Sequence, residues 1–198
     1  MRDEPGPATL TLCQQALAHL STQNLTVRAE VAFAQSLAYF GSGGIVASIQ
    51  SSREATSLAQ AAENTSSTIF YLCMTANSLL VHGKLHEVVQ VAEQVALLGT
   101  TLVGLPHALV SSAYIFQAAA LRELNRLEEA LDLILQAVRL CEQTETLLAL
   151  HFGYTVLMRV YLARGEMEEA RSAFQQAEAV LAKTSSPYRR DVYYIVEW

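Results

Sequence analysis

Apolar positions along this chain recur at steps of three and four, the signature of amphipathic helices, and that helical pattern itself returns about every forty residues. Ile45, Leu85, Leu127 and Met167 lead four such segments, spaced 40, 42 and 40 residues apart. Two residues before each stands Gly43, Gly83, Asn125 or Gly165. Gly and Asn tolerate the left-handed backbone that a helix needs where it stops and turns. Three residues after the anchors come Ser48, Val88, Ala130 and Ala170, and ten after them Ala55, Val95, Ala137 and Ala177. Mostly small side chains at fixed steps let two helices approach closely. Two helices per unit predict an all-α fold: a right-handed superhelical α-solenoid of antiparallel helix pairs, each burying its apolar face against its neighbours.

The pattern predicts a single array over residues 7–198. It opens with an orphan second helix at 7–20, continues as helix pairs at 24–62, 66–98, 106–141 and 146–182, and closes with the start of a further repeat at 187–198. Both ends then fall inside repeats, which predicts a piece of a longer array whose exposed end faces could pair with another copy. Asn24-Leu25-Thr26 and Asn64-Thr65-Ser66 spell glycosylation sequons, yet in this register they read as helix starts, where Asn is a favoured cap. Glu128 with Glu129, and Glu168 with Glu169, fall in first turns. Negative charge is favoured there by the helix dipole, so these pairs read as helix-start charges and not as catalytic carboxylates.

Composition excludes more than it assigns. An apolar fraction of 52% is what a chain needs to fill the inner faces of stacked helices. The net charge of −6, with 13 scattered Lys and Arg, offers no phosphate-tracking stripe and argues against direct nucleic-acid binding. The uncharged run from Gln94 to Leu121 is interrupted by Gly99, Gly104 and Pro106, which argues against a membrane span. Met1 to Pro7 carry Asp3 and Glu4 and no apolar stretch, so no secretory leader is expected and the chain reads as cytoplasmic. Cys13, Cys73 and Cys141 are odd in number and far apart, and read as core thiols in a reducing compartment. His82 and His86 straddle Gly83 in a repeat turn and lack the Glu of a zincin motif. No metal, cofactor or enzymatic activity is expected.

A binding surface is expected instead. In a right-handed stack, the first helix of each pair lines the concave groove. Counting back from the anchors by helical steps selects a stripe that includes Phe33 and Leu37, then Phe70, Cys73 and Asn77, then Ile115, Arg122 and Glu123, then Phe152, Thr155, Arg159 and Leu162. Asn77, Arg122, Glu123 and Arg159 are the candidate polar contacts, with Phe70 and Phe152 as apolar walls. Aromatic groups beside a few polar ones suit a small organic ligand or an extended peptide. At each position taken alone, a core role or a solvated helix end is the competing explanation.

The segments Leu124-Asn125-Arg126-Leu127-Glu128-Glu129-Ala130 and Arg164-Gly165-Glu166-Met167-Glu168-Glu169-Ala170 resemble tetratricopeptide repeats. The forty-residue period, with Ala38-Tyr39-Phe40-Gly41-Ser42-Gly43 and Ser57-Leu58-Ala59-Gln60-Ala61-Ala62-Glu63-Asn64, is similar to the sensor region of MalT-type, LuxR-family ATP-dependent transcription regulators. That resemblance implies a larger signalling protein with a nucleotide-binding module before the array and a DNA-binding helix-turn-helix after it. It also implies that the array takes up an inducer or an inhibitory partner protein. Gly41-Ser42-Gly43-Gly44 lacks the Lys and Ser/Thr of a phosphate loop, so this segment is not expected to bind ATP itself. The alternative is a free-standing tetratricopeptide scaffold for peptides or partner proteins. A clamp for a peptide's terminal carboxylate needs several Lys or Arg with Asn along the groove, and the stripe supplies only Asn77, Arg122 and Arg159, spread over three repeats.

Overall fold

The computed structural model describes residues 5–101 and 107–183. Among these, every regular element is an α-helix: α1 (Pro5–His19), α2 (Leu25–Gly41), α3 (Ile45–Ala61), α4 (Thr65–Val81), α5 (Leu85–Thr101), α6 (His107–Glu123), α7 (Leu127–Gln143), α8 (Leu147–Arg164) and α9 (Met167–Lys183). The chain divides into two compact units, Met1–Leu105 with α1–α5 and Pro106–Trp198 with α6–α9. The further repeat expected at 187–198 lies outside the described residues.

Each anchor opens a helix: Ile45 begins α3, Leu85 α5, Leu127 α7 and Met167 α9. The true period is half the one visible in the sequence. Helices α2–α5 begin at 25, 45, 65 and 85, and α6–α9 at 107, 127, 147 and 167, so one helix and its turn take twenty residues. The two additional residues behind the spacing of 42 fall between α5 and α6.

One turn geometry makes this regularity. After α2, the Gly43 N–H donates to the Phe40 carbonyl at 3.2 Å and the Gly44 N–H to the Tyr39 carbonyl at 2.8 Å. This is a Schellman closure, which satisfies carbonyls that the helix end leaves without partners. It requires positive φ at one residue, and within the pairs that residue is Gly43 (80°), Gly83 (73°), Asn125 (58°) or Gly165 (80°). Between pairs the same bonds recur, with Glu63 and Glu145 donating to the Gln60 and Glu142 carbonyls. Those glutamates take φ of 54° and 52° despite their Cβ atoms. Only alternate turns therefore carry Gly or Asn, and that alternation is why the sequence shows forty. At the opposite helix ends, Asn64 caps α4 by accepting from the Ser67 N–H at 3.0 Å, and Asn24 caps α2 by accepting from Val27 at 3.4 Å.

The small residues at the fixed steps are the packing surface. Ser48, Val88, Ala130 and Ala170, and likewise Ala55, Val95, Ala137 and Ala177, are all buried. Through them α3 packs on α2 and α4, and α7 on α6 and α8. The approach of α7 to α8 is so close that a Cβ at Gly153 would lie 3.1 Å from Val138 Cγ2. The two units fill this seam differently. In the first it is hydroxylic: Ser36 Oγ donates to the Ser48 carbonyl at 2.9 Å, the Ser48 and Ser78 hydroxyls lie 3.3 Å apart, and Ser52 bonds Thr75. Each such buried bond contributes about 1 kcal/mol net. In the second unit Ala130, Ile134 and Ala137 make the seam apolar, and its rim is tied by Tyr154 donating to Glu142 at 2.6 Å and by the Arg164–Glu128 ion pair.

The turns give the first test. Replacing Glu145, held at φ 52°, with Gly removes left-handed strain and raises stability by up to about 1 kcal/mol. Gly165→Val, at φ 80°, lowers it by more than about 1 kcal/mol. Thermal unfolding of both variants reads the two signs.

Candidate functional site

Four of the six candidate residues lie in the second unit, on two helices that pack together. Arg122 and Glu123 end α6, Phe152 and Arg159 stand seven residues apart and so share a face of α8, and α6 contacts α8 directly. The Arg122 side chain is only 23% exposed and pairs with the half-exposed Glu123 carboxylate. Its Nε is buried and has no hydrogen-bond partner among the described residues. Burial first, and then the nearby Arg122 charge, hold the Arg159 pKa below the ordinary arginine value, while Glu123 works in the opposite direction. Arg159 therefore lies within electrostatic reach of both Arg122 and Glu123 in a partly desolvated place. Phe152 is half-buried, its ring centroid 5.8 Å from that of His151, and Leu162 of the same helix is 45% exposed.

Phe70 and Asn77 share a face of α4 in the first unit, also seven residues apart. Phe70 sits edge-on to Phe33 with centroids 5.1 Å apart, and both rings neighbour Tyr71. This aromatic trio rests on Ala29, Ala32, Ala55 and Ala59. Asn77 is half-buried, and Leu37 of α2 is 54% exposed. The structure thus groups Arg122, Glu123, Phe152 and Arg159 in one unit and Phe70 with Asn77 in the other.

Three members of the expected stripe do not face a groove. Cys73, Ile115 and Thr155 are buried, because α4 packs on both α3 and α5 while α6 and α8 pack on each other and on α7. A first helix enclosed on several sides has little free face, and residues three or four positions along it turn into the core. Burial pushes the Cys73 thiol up to about 12 and raises those of Cys13 and Cys141 as well. Among the described residues, no group of three or more His, Cys, Asp or Glu could hold a metal. None of the described helices is long and apolar enough to cross a membrane.

One residue escaped the sequence reading. His151 stands in the register of Ala29, Ile69 and Ser111, all buried, and is itself buried, with its Nδ1 3.0 Å from the Ala177 carbonyl. Aligning the repeats column by column would have singled out an imidazole among small and apolar residues.

Over residues 3–196 the sequence matches the family model of the MalT-like TPR region. The chain belongs to that family. No curated protein matches it significantly. Among solved structures, the MalT-like region is similar to a variant form of the nearly identical TPR-like repeats from Podosopora anserina described as a kinesin light chain, at 21% identity and a TM-score of 0.68, with 90% of this chain and 87% of that one covered. The apo form of RapI is similar at 14% identity and a TM-score of 0.73, covering 88% of this chain and 62% of the other. BtubC from P. vanneervenii follows at 15% identity and a TM-score of 0.72, covering 87% and 71%. These likenesses show the fold, an all-α solenoid of tetratricopeptide type, and agree with the helix pairs described above.

The buried thiols supply the test here. At pH 8 a thiol-specific disulfide reagent should modify Cys73 at least about a hundredfold more slowly in the native protein than in urea, since burial holds that thiol at about 12. Rapid native labelling of Cys73 would contradict the placement of α4 in the core.

Proposed function

We propose that residues 7–198 act as the signal-sensing region of a LuxR-family, MalT-type transcription regulator, without ATP- or DNA-binding modules of their own. The observation that carries this reading is the family match over residues 3–196. Gly41-Ser42-Gly43-Gly44 fits the same reading, since it forms a helix-ending turn in place of a phosphate loop. The role is binding and not catalysis, in the cytoplasm, with no cofactor and no direct contact to nucleic acid or membrane. The site is the open face of the helix pairs. Arg122, Glu123 and Arg159 hold polar or anionic groups of an inducer or partner protein, Phe152 and Phe70 offer apolar walls, and Asn77 adds a hydrogen-bonding group. Self-association would use the α1 end, where Leu12 is 64% exposed.

A second reading, a free-standing scaffold for peptides or partner proteins, draws support from the first unit. There Phe33 and Phe70, beside the exposed Leu37, make an apolar strip suited to an extended peptide.

Two experiments separate and test these readings. An immunoblot of the source cells should detect this segment in a band several times larger than 21.7 kDa, whereas a band at that mass gives the lead to the scaffold. Arg122→Ala combined with Arg159→Ala should reduce ligand binding at least tenfold while helical circular dichroism and melting stay unchanged. Normal binding by the double variant refutes the groove assignment.

A further inference from the structure

The first unit carries an aromatic surface with a single charge beside it. Phe33 of α2 and Phe70 of α4 meet edge to face with ring centroids 5.1 Å apart, and Tyr71 stands 5.1 Å from the first and 5.6 Å from the second. Tyr71 is buried with Ala29, Ala32, Ala55 and Ala59, and Phe33 and Phe70 pack against that cluster while staying partly exposed. The rings are thus backed by a filled core, and what they keep toward solvent is π surface. The face of an aromatic ring is negative and its edge positive.

The charge is Glu30. Three residues before Phe33, it shares that face of α2, and it is the sixth residue of α2 as Phe70 is the sixth of α4, so the two hold the same register position on the helices whose rings touch. Burial first, and then the Glu30 charge, raise the Tyr71 pKa, which puts the carboxylate within electrostatic reach of the ring cluster. Glu30 is exposed and joins no ion pair among the described residues. Helices α2 and α4 hold one other charged residue, Arg28, two positions from Glu30 and therefore on another side of α2. Leu37, four residues beyond Phe33 on the same face, is 54% exposed. The face offers π surface, an aliphatic contact and a carboxylate without a counter-ion.

Those features select a cation. A positive group over a ring face is attracted by the ring quadrupole, and the carboxylate supplies the opposite charge. A guanidinium suits the place better than an ammonium, since it is planar, stacks on aromatic faces and is more weakly hydrated. The methylene stem that carries it has Leu37 to lie along. The second unit lacks this combination. Helices α6 and α8 start 82 positions beyond α2 and α4 (107−25 and 147−65), and in that register Glu30 and Phe33 become Ser112 and Ile115, while Phe70 alone keeps its ring, as Phe152.

We propose that Phe33, Phe70 and Glu30 seat the guanidinium of an arginine side chain from a partner peptide, the two rings supplying π surface and the carboxylate the counter-charge. The proposal rests on the reading of the first unit as a peptide-binding face, and it names the residue that the peptide must bring.

The test follows the phenylalanine ring resonances of the complete protein by NMR during titration with a blocked Leu-Arg-Leu peptide. A twin peptide carries citrulline, the neutral isostere, in place of arginine. The arginine peptide should shift Phe33 and Phe70 saturably and leave Phe152 unmoved, and the twin should bind roughly three- to tenfold more weakly, the combined effect of an exposed cation–π contact and a surface ion pair. Glu30→Gln, a change at an exposed position, should weaken the arginine peptide by roughly twofold or more and leave the twin and the melting temperature unchanged. Equal affinity for the two peptides, or an arginine peptide bound equally well by Glu30→Gln, overturns the cation site and leaves the apolar strip standing. Phe152 shifting as strongly as Phe33 and Phe70 overturns it as non-specific stacking. Unmoved Phe33 and Phe70 with both peptides overturn the cation site and the peptide-binding reading of this face together.

Discussion

Everything in this molecule depends on how closely one helix can approach the next after a reversal of two or three residues. Seventeen or eighteen helical residues and a turn that completes the twenty leave no slack. The backbone must enter the left-handed region at one fixed position, and the side chains that follow must be small enough for the returning helix to pack. The chain meets the first condition with positive φ at Gly43, Glu63, Gly83, Asn125, Glu145 and Gly165. It meets the second with fully buried residues three and ten positions into the second helices, such as Ser48 and Ala55 or Ala130 and Ala137. The local closure fixes the register, the register places the small residues, and the packing that follows stabilises a turn that two glutamates make reluctantly.

Both units obey this constraint with different interiors. Where α3 presents Ser48 and Ser52, the seam is held by hydroxyls that reach across to Ser36, Ser78 and Thr75. Where α7 presents Ala130 and Ile134, burial of apolar surface does the same task. Hydrophobic burial is non-directional and hydrogen bonds are not, so the first unit is the more exacting in its register. Within the same frame the second unit carries Arg122, Glu123 and Arg159, and in the first Phe33 and Phe70 pack against the buried Ala29, Ala32, Ala55 and Ala59.

Much of the fold was legible because its punctuation is written in residue types with few alternatives. Gly43, Gly83, Asn125 and Gly165 mark four turns, and the anchors behind them open α3, α5, α7 and α9. The twenty-residue period was hidden because Glu63 and Glu145 adopt a conformation their side chains disfavour, and nothing in a glutamate announces that. Cys73, Ile115 and Thr155 were misplaced for a related reason. A helix enclosed by several neighbours is apolar on most sides, so its periodicity does not say which face stays open. Arg122 and Arg159 are legible as candidates because a charged group must keep some access to water or to a partner, and the Arg122 side chain stays 23% exposed.

The claim that close approach governs the fold is tested most directly by equilibrium urea unfolding of Ala137→Leu, with Gln136→Leu as the control. Ala137 is fully buried and Gln136 exposed. Overpacking at Ala137 should cost about 1–3 kcal/mol and lower the urea midpoint with the slope unchanged, while the control stays within about 0.5 kcal/mol of the parent. An Ala137→Leu protein as stable as the parent would mean that the seam has room to spare, and that close approach is not what governs the fold.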